Sequence, residues 1–299
     1  MLSIVVVNWN GEVFLENFFT SLENQTYKEF IVYFVDNGSQ DNSIKITEKF
    51  TRNLNIDIIR LDKNTGFSVA NNIGIKKALK DNSNFIITLN NDMELDKSCL
   101  YKLNEAIQKF PEYDVFQILM MDYNNRDIID AAGIEFNKHY YASQIGLGKS
   151  LHFLEKLSTD IPGVCAGAAA YSKRALSTIK DHNGNFFDPI YFAYYEDVDL
   201  VLRLLKNNFK SKLVKDSIVY HIHSGTGGKE SDFKTYYLAR NLLIYTKKNL
   251  PNTTYKKCLP VYLFRFFIQG FKHLIKGNIK RCKALLNGIR DGLSYKTQR

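Results

Sequence analysis

The sequence predicts an α/β fold: a mostly parallel, doubly wound sheet with helices on both faces and a helical extension at the C-terminus. Three observations lead there. Short apolar runs alternate with segments of helical periodicity through the first hundred or so residues, the βαβ order that makes a parallel sheet. Polar residues close one apolar run after another. From Lys247 onward the chain turns basic and amphipathic.

The elements follow in order. Residues 2–8 form a buried apolar run. Residues 11–24 place Val13, Phe14, Phe18 and Leu22 near helical spacing. A second strand at 30–35 ends at Asp36, a helix follows at 43–50, and a third strand covers 56–61. Residues 67–79 read as helix, and a fourth strand at 85–89 runs into Asn90-Asn91-Asp92. Between 114 and 159 the periodicity weakens. The small residues 167–170 pack tightly, a helix begins near Glu196, and a strand at 212–220 leads into a Gly-rich loop from His221 to Gly228. The expected division is a body of residues 1–246 (halves 1–110 and 111–246) and a basic tail of 247–299.

Composition narrows the class. The 299 residues are 45% hydrophobic and 24% charged, enough for a real core. The net charge of +9 is uneven: thirteen Lys/Arg against Asp291 give the tail +12 and leave the rest at −3. Such a tail suits an anionic surface, membrane lipid or nucleic acid. Ile268, Phe271, Ile275, Ile279, Cys282, Leu286 and Ile289 recur at intervals of three or four, with Lys272, Lys276, Lys280 and Lys283 on another face. That pattern is the signature of an interfacial helix on anionic lipid and not of a nucleic-acid contact; the alternative is a helix packed on the body with a solvated basic edge, and Gly270, Gly277 and Gly288 favour short helices. Four scattered cysteines make a zinc site or disulfide framework improbable. With no signal-peptide core and no apolar run of spanning length, the expected location is cytoplasmic, peripheral at the inner face of the cell membrane.

The strand-end residues Asn8, Asp36, Asn64 and Asp92 recur every 28 residues. Open α/β sheets bind ligands at that edge. The loop Asn8-Trp9-Asn10-Gly11-Glu12 lacks the dinucleotide fingerprint and the phosphate loop, so a metal on an Asp is the natural way to hold phosphates. Asp92, ending a buried strand, suits that role; a helix cap is the plainer reading. Glu196, Asp197 and Asp199 crowd a helix start, which the helix dipole partly explains. The aromatic approach from Phe186 to Tyr195 could shield them and raise a carboxylate to general-base strength. Asp199 points away from Asp197, so chemistry is assigned to Asp197 and structure to Asp199. His221 and His223 precede the Gly-rich loop as candidate metal ligands.

With these motifs in order, the sequence resembles the inverting family 2 glycosyltransferases, in particular their rhamnosyltransferase-like group. The likeness runs from Leu2 to about Asn249. It rests on Ile4-Val5-Val6-Val7-Asn8-Trp9-Asn10-Gly11, Val35-Asp36-Asn37-Gly38-Ser39, Asn64-Thr65-Gly66-Phe67-Ser68 with Asn71-Asn72-Ile73-Gly74, and Leu89-Asn90-Asn91-Asp92. The segment Gly167-Ala168-Ala169 with Arg174, then Tyr195-Glu196-Asp197-Val198-Asp199-Leu200 with Arg203, His221 and Arg240-Asn241 complete it. The resemblance implies a GT-A fold and sugar transfer from a dTDP- or UDP-linked donor to a glycan or lipid-linked acceptor. It implies that Asn8, Asp36, Asn64, Gly66, Asn72, Asn91 and Asp92 line the donor site, and that Asp92 and His221 hold Mg²⁺ or Mn²⁺. His223 is the alternative to His221. Asp197 is implied as catalytic base, with Glu196 beside it. Asn90-Asn91 stands where many relatives carry an acid or Asn-Pro. The competing readings are a catalytically inactive nucleotide-sugar-binding protein and a nucleotidyltransferase on a related sheet.

Overall fold

The computed structural model describes residues 1–222 and 231–296; His223 lies outside the described residues. Strand β1 (Leu2–Asn8) is followed by α1 (Glu12–Glu23), β2 (Phe30–Asp36), α2 (Ser43–Phe50), β3 (Ile56–Arg60), α3 (Phe67–Lys80) and β4 (Phe85–Asn90). Each apolar run in this half forms the strand its pattern predicts, and each periodic segment the helix. β1 pairs in parallel with β2 on one side and β4 on the other, and β3 continues in parallel beyond β2. The order β3-β2-β1-β4 places a topological switch at β1, where successive crossovers leave in opposite directions and their loops part into a crevice.

The second half adds β5 (Met93–Leu95), α4 (Cys99–Lys109), β6 (Val115–Asp122), β7 (Ile129–Ala131), the pair β8 (Ile134–Phe136) and β9 (Ala142–Gln144), and α5 (His152–Lys156). Then come β10 (Asp160–Ile161), β11 (Ala168–Ser172), α6 (Lys173–Ile179), α7 (Glu196–Lys206) and β12 (Ser211–His221). β11 inserts antiparallel between β4 and β6, and β6 and β12 run parallel to each other. Strand β6 is the main element the periodicity did not reveal. It is buried on both faces, so Val-Phe-Gln-Ile-Leu-Met-Met shows no alternation to read.

Apolar layers cover both faces of the sheet. Phe18, Phe19, Leu22, Leu100 and Leu103 pack from α1 and α4 on one face. Ile75, Leu176, Leu200 and Leu204 pack from α3, α6 and α7 on the other. A third layer joins α7 to the C-terminal helices α8 (Asp232–Asn249), α9 (Asn252–Ile275) and α10 (Ile279–Ser294) through Val198, Leu242, Tyr245, Tyr262 and Leu285. The expected boundary after residue 246 falls inside α8. The tail is not one helix: Gly277, at φ +68°, separates α9 from α10. α10 lies close on α8, since a Cβ at Gly288 would sit 2.5 Å from the Tyr236 carbonyl oxygen.

Candidate active site

Asn8 and Asp36 are register partners at the carboxyl ends of β1 and β2. Asn8 is fully buried, and its amide donates to Asp36 Oδ1 (3.2 Å) and Ser39 Oγ (3.1 Å). Its carbonyl oxygen accepts from Asn91 Nδ2 at 2.6 Å. One side chain thus ties three strand ends across the switch point. Gly11 leaves the room, because a Cβ there would lie 2.2 Å from Asn91 Nδ2 and 2.3 Å from Asn8 Oδ1. Asp36 Oδ2 accepts the Ser39 amide at 3.1 Å. Asn37 carries the tie onward, donating to Asn64 Oδ1 (3.1 Å) and accepting from the Thr65 amide (2.8 Å). Asn64 Oδ1 in turn accepts the Gly66 amide at 2.9 Å.

Gly66 has φ +84°, and a Cβ there would meet the Phe192 ring and carbonyl at 2.6 Å. The adjacent Phe67 amide donates to that carbonyl at 2.7 Å. The predicted donor edge is therefore fastened to the aromatic approach. Asn72 stands apart from this group. It is buried on the inner side of α3, accepts the Phe186 and Phe187 amides (3.0 and 2.9 Å) and donates to the Phe187 carbonyl (2.7 Å). Its amide holds the start of the approach.

The approach bends sharply before α7. Phe192, Tyr194 and Tyr195 have φ of 57°, 66° and 72°. Each such residue costs on the order of 1–3 kcal/mol unless its surroundings impose it. Asn241 on α8 imposes it, donating to the carbonyls of Tyr191 (2.9 Å), Ala193 (2.8 Å) and Tyr194 (2.8 Å). The bend delivers Glu196 and Asp197 to the first turn of α7.

The three acids of that turn have distinct surroundings. Asp199 is buried and meets Arg203 Nε (2.9 Å), Lys248 Nζ (2.8 Å), Asn249 Nδ2 (2.7 Å) and the Tyr191 hydroxyl (3.0 Å). Burial alone would raise its pKa, but the Arg203 and Lys248 charges hold it below the ordinary value. It anchors α7 to α8. Glu196 is also buried, and its Oε2 has no hydrogen-bond partner among the described residues. Burial, and next the charge of Asp197, push its carboxyl up to about 8. An unpartnered buried oxygen is tolerable on a neutral acid and costly on a charged one. Asp197 is partly exposed. Burial raises its pKa, against the Val198 amide (2.8 Å), the Ala166 amide (3.4 Å) and the Cys165 thiol.

Across the edge, Asp92 Oδ1 lies 3.2 Å from His221 Nε2, and His221 Nδ1 lies 2.7 Å from Asp130 Oδ2. Burial works against an imidazolium, but the hydrogen bonds and charges of Asp130 and Asp92 outweigh it and raise the pKa to about 9. Residues 165–167 link the two sides. The Gly167 carbonyl accepts the Asn90 amide (2.9 Å), and the Ala166 carbonyl accepts Thr88 Oγ1 (2.6 Å). The Cys165 thiol is pushed up by burial, then by the charges of Asp197 and, more weakly, Asp130.

Among the described residues no three His, Cys, Asp or Glu side chains converge as a metal cage. With its Nε2 proton lost, the His221 imidazole could join the Asp92 carboxylate in holding a divalent cation, which would supply positive charge to a diphosphate. Mn²⁺ suits this mixed oxygen and nitrogen pair better than Mg²⁺ does.

Comparison with known proteins gives the family and the fold. The model of the family described as Glycosyl transferase family 2 matches residues 3–180, more than half of the chain. The chain belongs to glycosyl transferase family 2. Its fold is the GT-A fold. The structure of Staphylococcus aureus TarS 1-349 in complex with UDP-GlcNAc superposes with a TM-score of 0.62 at 19% identity, covering 97% of this chain and 81% of that one. The mannosyltransferase PcManGT from Pyrobaculum calidifontis, in complex with GDP-Man and Mn²⁺, gives 0.56 at 10% identity, covering 99% and 76%. In sequence, the Staphylococcus aureus poly(ribitol-phosphate) beta-N-acetylglucosaminyltransferase TarS is 28% identical over 129 residues, 42% of this chain and 22% of that protein. An uncharacterized glycosyltransferase of Haemophilus influenzae is 26% identical over 134 residues, 44% of this chain and 50% of that protein. The match thus spans about a fifth of the full TarS.

Three residues of this family 2 chain escaped the sequence reading of the site. Asn37 and Asn241 stood inside quoted motifs, but nothing local says which carbonyls an Asn will reach. Asp130 left a usable signal: a lone acid in Ile128-Ile129-Asp130-Ala131-Ala132, where a buried charge demands a partner.

Proposed function

We propose that this chain transfers a sugar from a nucleoside diphosphate donor to a hydroxyl of a glycan or lipid-linked acceptor, with inversion. One observation carries the reading. Asp197, a carboxylate of raised pKa at a helix start, is linked through residues 165–167 to the strand edge that holds Asp92 and His221. A base and a phosphate-side group at one edge are what a single displacement requires.

Residues 1–110 would hold the donor, with Asp36 toward the base or ribose and Asn64 and Gly66 lining the pocket. Residues 111–246 would receive the acceptor. The acceptor oxygen attacks the anomeric carbon as the bond to the diphosphate breaks. Its proton passes to the Asp197 carboxylate, and the nucleoside diphosphate leaves. Glu196, neutral beside it, keeps the pair to one negative charge. A divalent cation on Asp92 and His221 would supply positive charge to the departing diphosphate. Asp130 would hold Nδ1 of His221 so that Nε2 faces that ion.

UDP-linked sugars are the first donors to try, since the similar TarS structure holds UDP-GlcNAc; dTDP-rhamnose is the next. An acceptor on lipid would be met at an anionic membrane surface, on its cytoplasmic side, through the basic C-terminal helices. A screen of nucleotide sugars for release of nucleoside diphosphate, with Mn²⁺, with Mg²⁺ and with chelator, tests the reading. It predicts release from a UDP- or dTDP-sugar that the chelator suppresses and Mn²⁺ restores. Donor binding without release under every condition would leave a nucleotide-sugar-binding protein instead.

A further inference from the structure

Helix α9 has two apolar faces. Tyr255, Cys258, Tyr262 and Phe266 recur every three or four residues and are buried within the body. On the opposite side of the 3.6-residue turn stand Leu263, Phe264, Phe267, Phe271, Leu274 and Ile275. Phe264 is 64% exposed, Phe267 71%, Phe271 57% and Ile275 71%. Scattered exposed apolar residues need no explanation. A continuous stripe of about 18 Å, at 1.5 Å per residue, does.

The charges beside the stripe indicate its occupant. Lys272 lies beyond one edge of the stripe, Lys276 caps the end of α9, Lys280 and Lys283 follow at the start of α10, and all four are exposed. From Lys247 to Arg290 the chain has no Asp or Glu. A second copy seated on this face would bring two such acid-free surfaces together in a chain already at +9. A surface of negative charge with an apolar interior meets both features. Among the described residues no helix is long and apolar enough to cross a membrane, so α9 would lie along that surface.

We propose that α9 seats the Phe264–Phe267–Phe271 stripe at the headgroup and acyl boundary of an anionic bilayer, with Lys272, Lys276, Lys280 and Lys283 at the level of the phosphates. The inference deepens the membrane contact proposed above and does not depend on the transfer chemistry. It also sharpens that contact. The sequence periodicity puts the face at Ile268 to Ile289; Phe271, Ile275, Ile279 and Leu286 of that set are exposed, whereas Cys282 and Ile289 are partly covered. α10 turns Gly288 and Gly292 onto α8 and sets Leu285 beside Gly270 of α9, so the longest exposed apolar stripe is that of α9.

The test is flotation of the full chain with vesicles of phosphatidylcholine, with and without phosphatidylglycerol. The native chain should float only with the anionic vesicles, and less as salt rises. The triple variant Phe264→Ser, Phe267→Ser, Phe271→Ser should bind them at least about tenfold more weakly. Its nucleoside diphosphate release from soluble donor should be unchanged, which shows it folded. Equal flotation of the triple variant, or no flotation of the native chain, overturns the proposal. So does a dimer in equilibrium sedimentation that the triple variant dissociates. Vesicle binding without donor turnover in either protein supports this proposal and counts against the transfer reading alone.

Discussion

Glu196 and Asp197 are neighbours in the chain with opposite tasks in the proposed reaction. Burial and the charge of Asp197 raise the Glu196 carboxyl, so the folded state holds its proton to higher pH than the unfolded chain does. More protons bound in the folded state mean that stability falls as pH rises through that window. Urea midpoints measured from pH 5 to 8 should therefore decline, and Glu196→Gln should show a shallower slope; equal slopes would mean that Glu196 is ionised in the fold. Asp130 meets His221 Nδ1 in a hydrogen bond of 2.7 Å. Asp130→Asn should weaken Mn²⁺ binding by about 10- to 100-fold, as loss of a ligand's orienting partner does. A Mn²⁺ titration with unchanged affinity would reduce Asp130 to a packing residue. At this scale the sequence was readable where function concentrates charge, at Glu196-Asp197-Val198-Asp199, and where polar groups recur at strand ends. It was unreadable where one side chain's task depends on distant backbone groups, as with Asn72, whose bonds to Phe186 and Phe187 no local motif announces.

The element that joins the two halves of the site is the bend from Phe186 to Tyr195. Asn72 holds its start at Phe186 and Phe187, and Asn241 and the Phe67 amide hold the carbonyls of its left-handed turn. Asn241→Ala removes the donor shared by three carbonyls and should cost about 1–3 kcal/mol, measured by urea unfolding. Gly66→Ala meets both a positive φ and the Phe192 carbonyl. It should raise the donor KM and lower stability by about 1–3 kcal/mol; a donor KM within error of the native value would separate Gly66 from the pocket. Amphipathic helices were legible from their period, and the buried strands β1, β2 and β4 from apolar runs that polar residues close. β6 was not, since Gln117 breaks its apolar run and it carries no alternation, and β7 to β9 are too short to show a period.

Over the whole molecule, charge and topology divide the labour. The wholly parallel strands β3-β2-β1-β4 place Asn8, Asp36 and Asn91 at one edge. The antiparallel insertion of β11 brings residues 165–167, and with them Asp197, against the end of β4. The body carries a slight negative charge and the C-terminal helices a strong positive one. Association with anionic vesicles should therefore depend on salt, while turnover of a soluble donor should not. The sequence foresaw this division of charge. It left open whether the tail meets lipid or packs on the body; α10 packs Gly288 and Gly292 on α8 while Ile279 and Leu286 stay exposed, and α9 carries the longer exposed face. The claim beneath all of this is that Asp197 takes the acceptor proton beside a donor held at the strand edge. Steady-state turnover of Asp197→Asn, with donor affinity measured in parallel, tests it most directly. The account predicts a kcat lowered by at least about 10²-fold with donor binding nearly unchanged; turnover close to that of the native chain would contradict it.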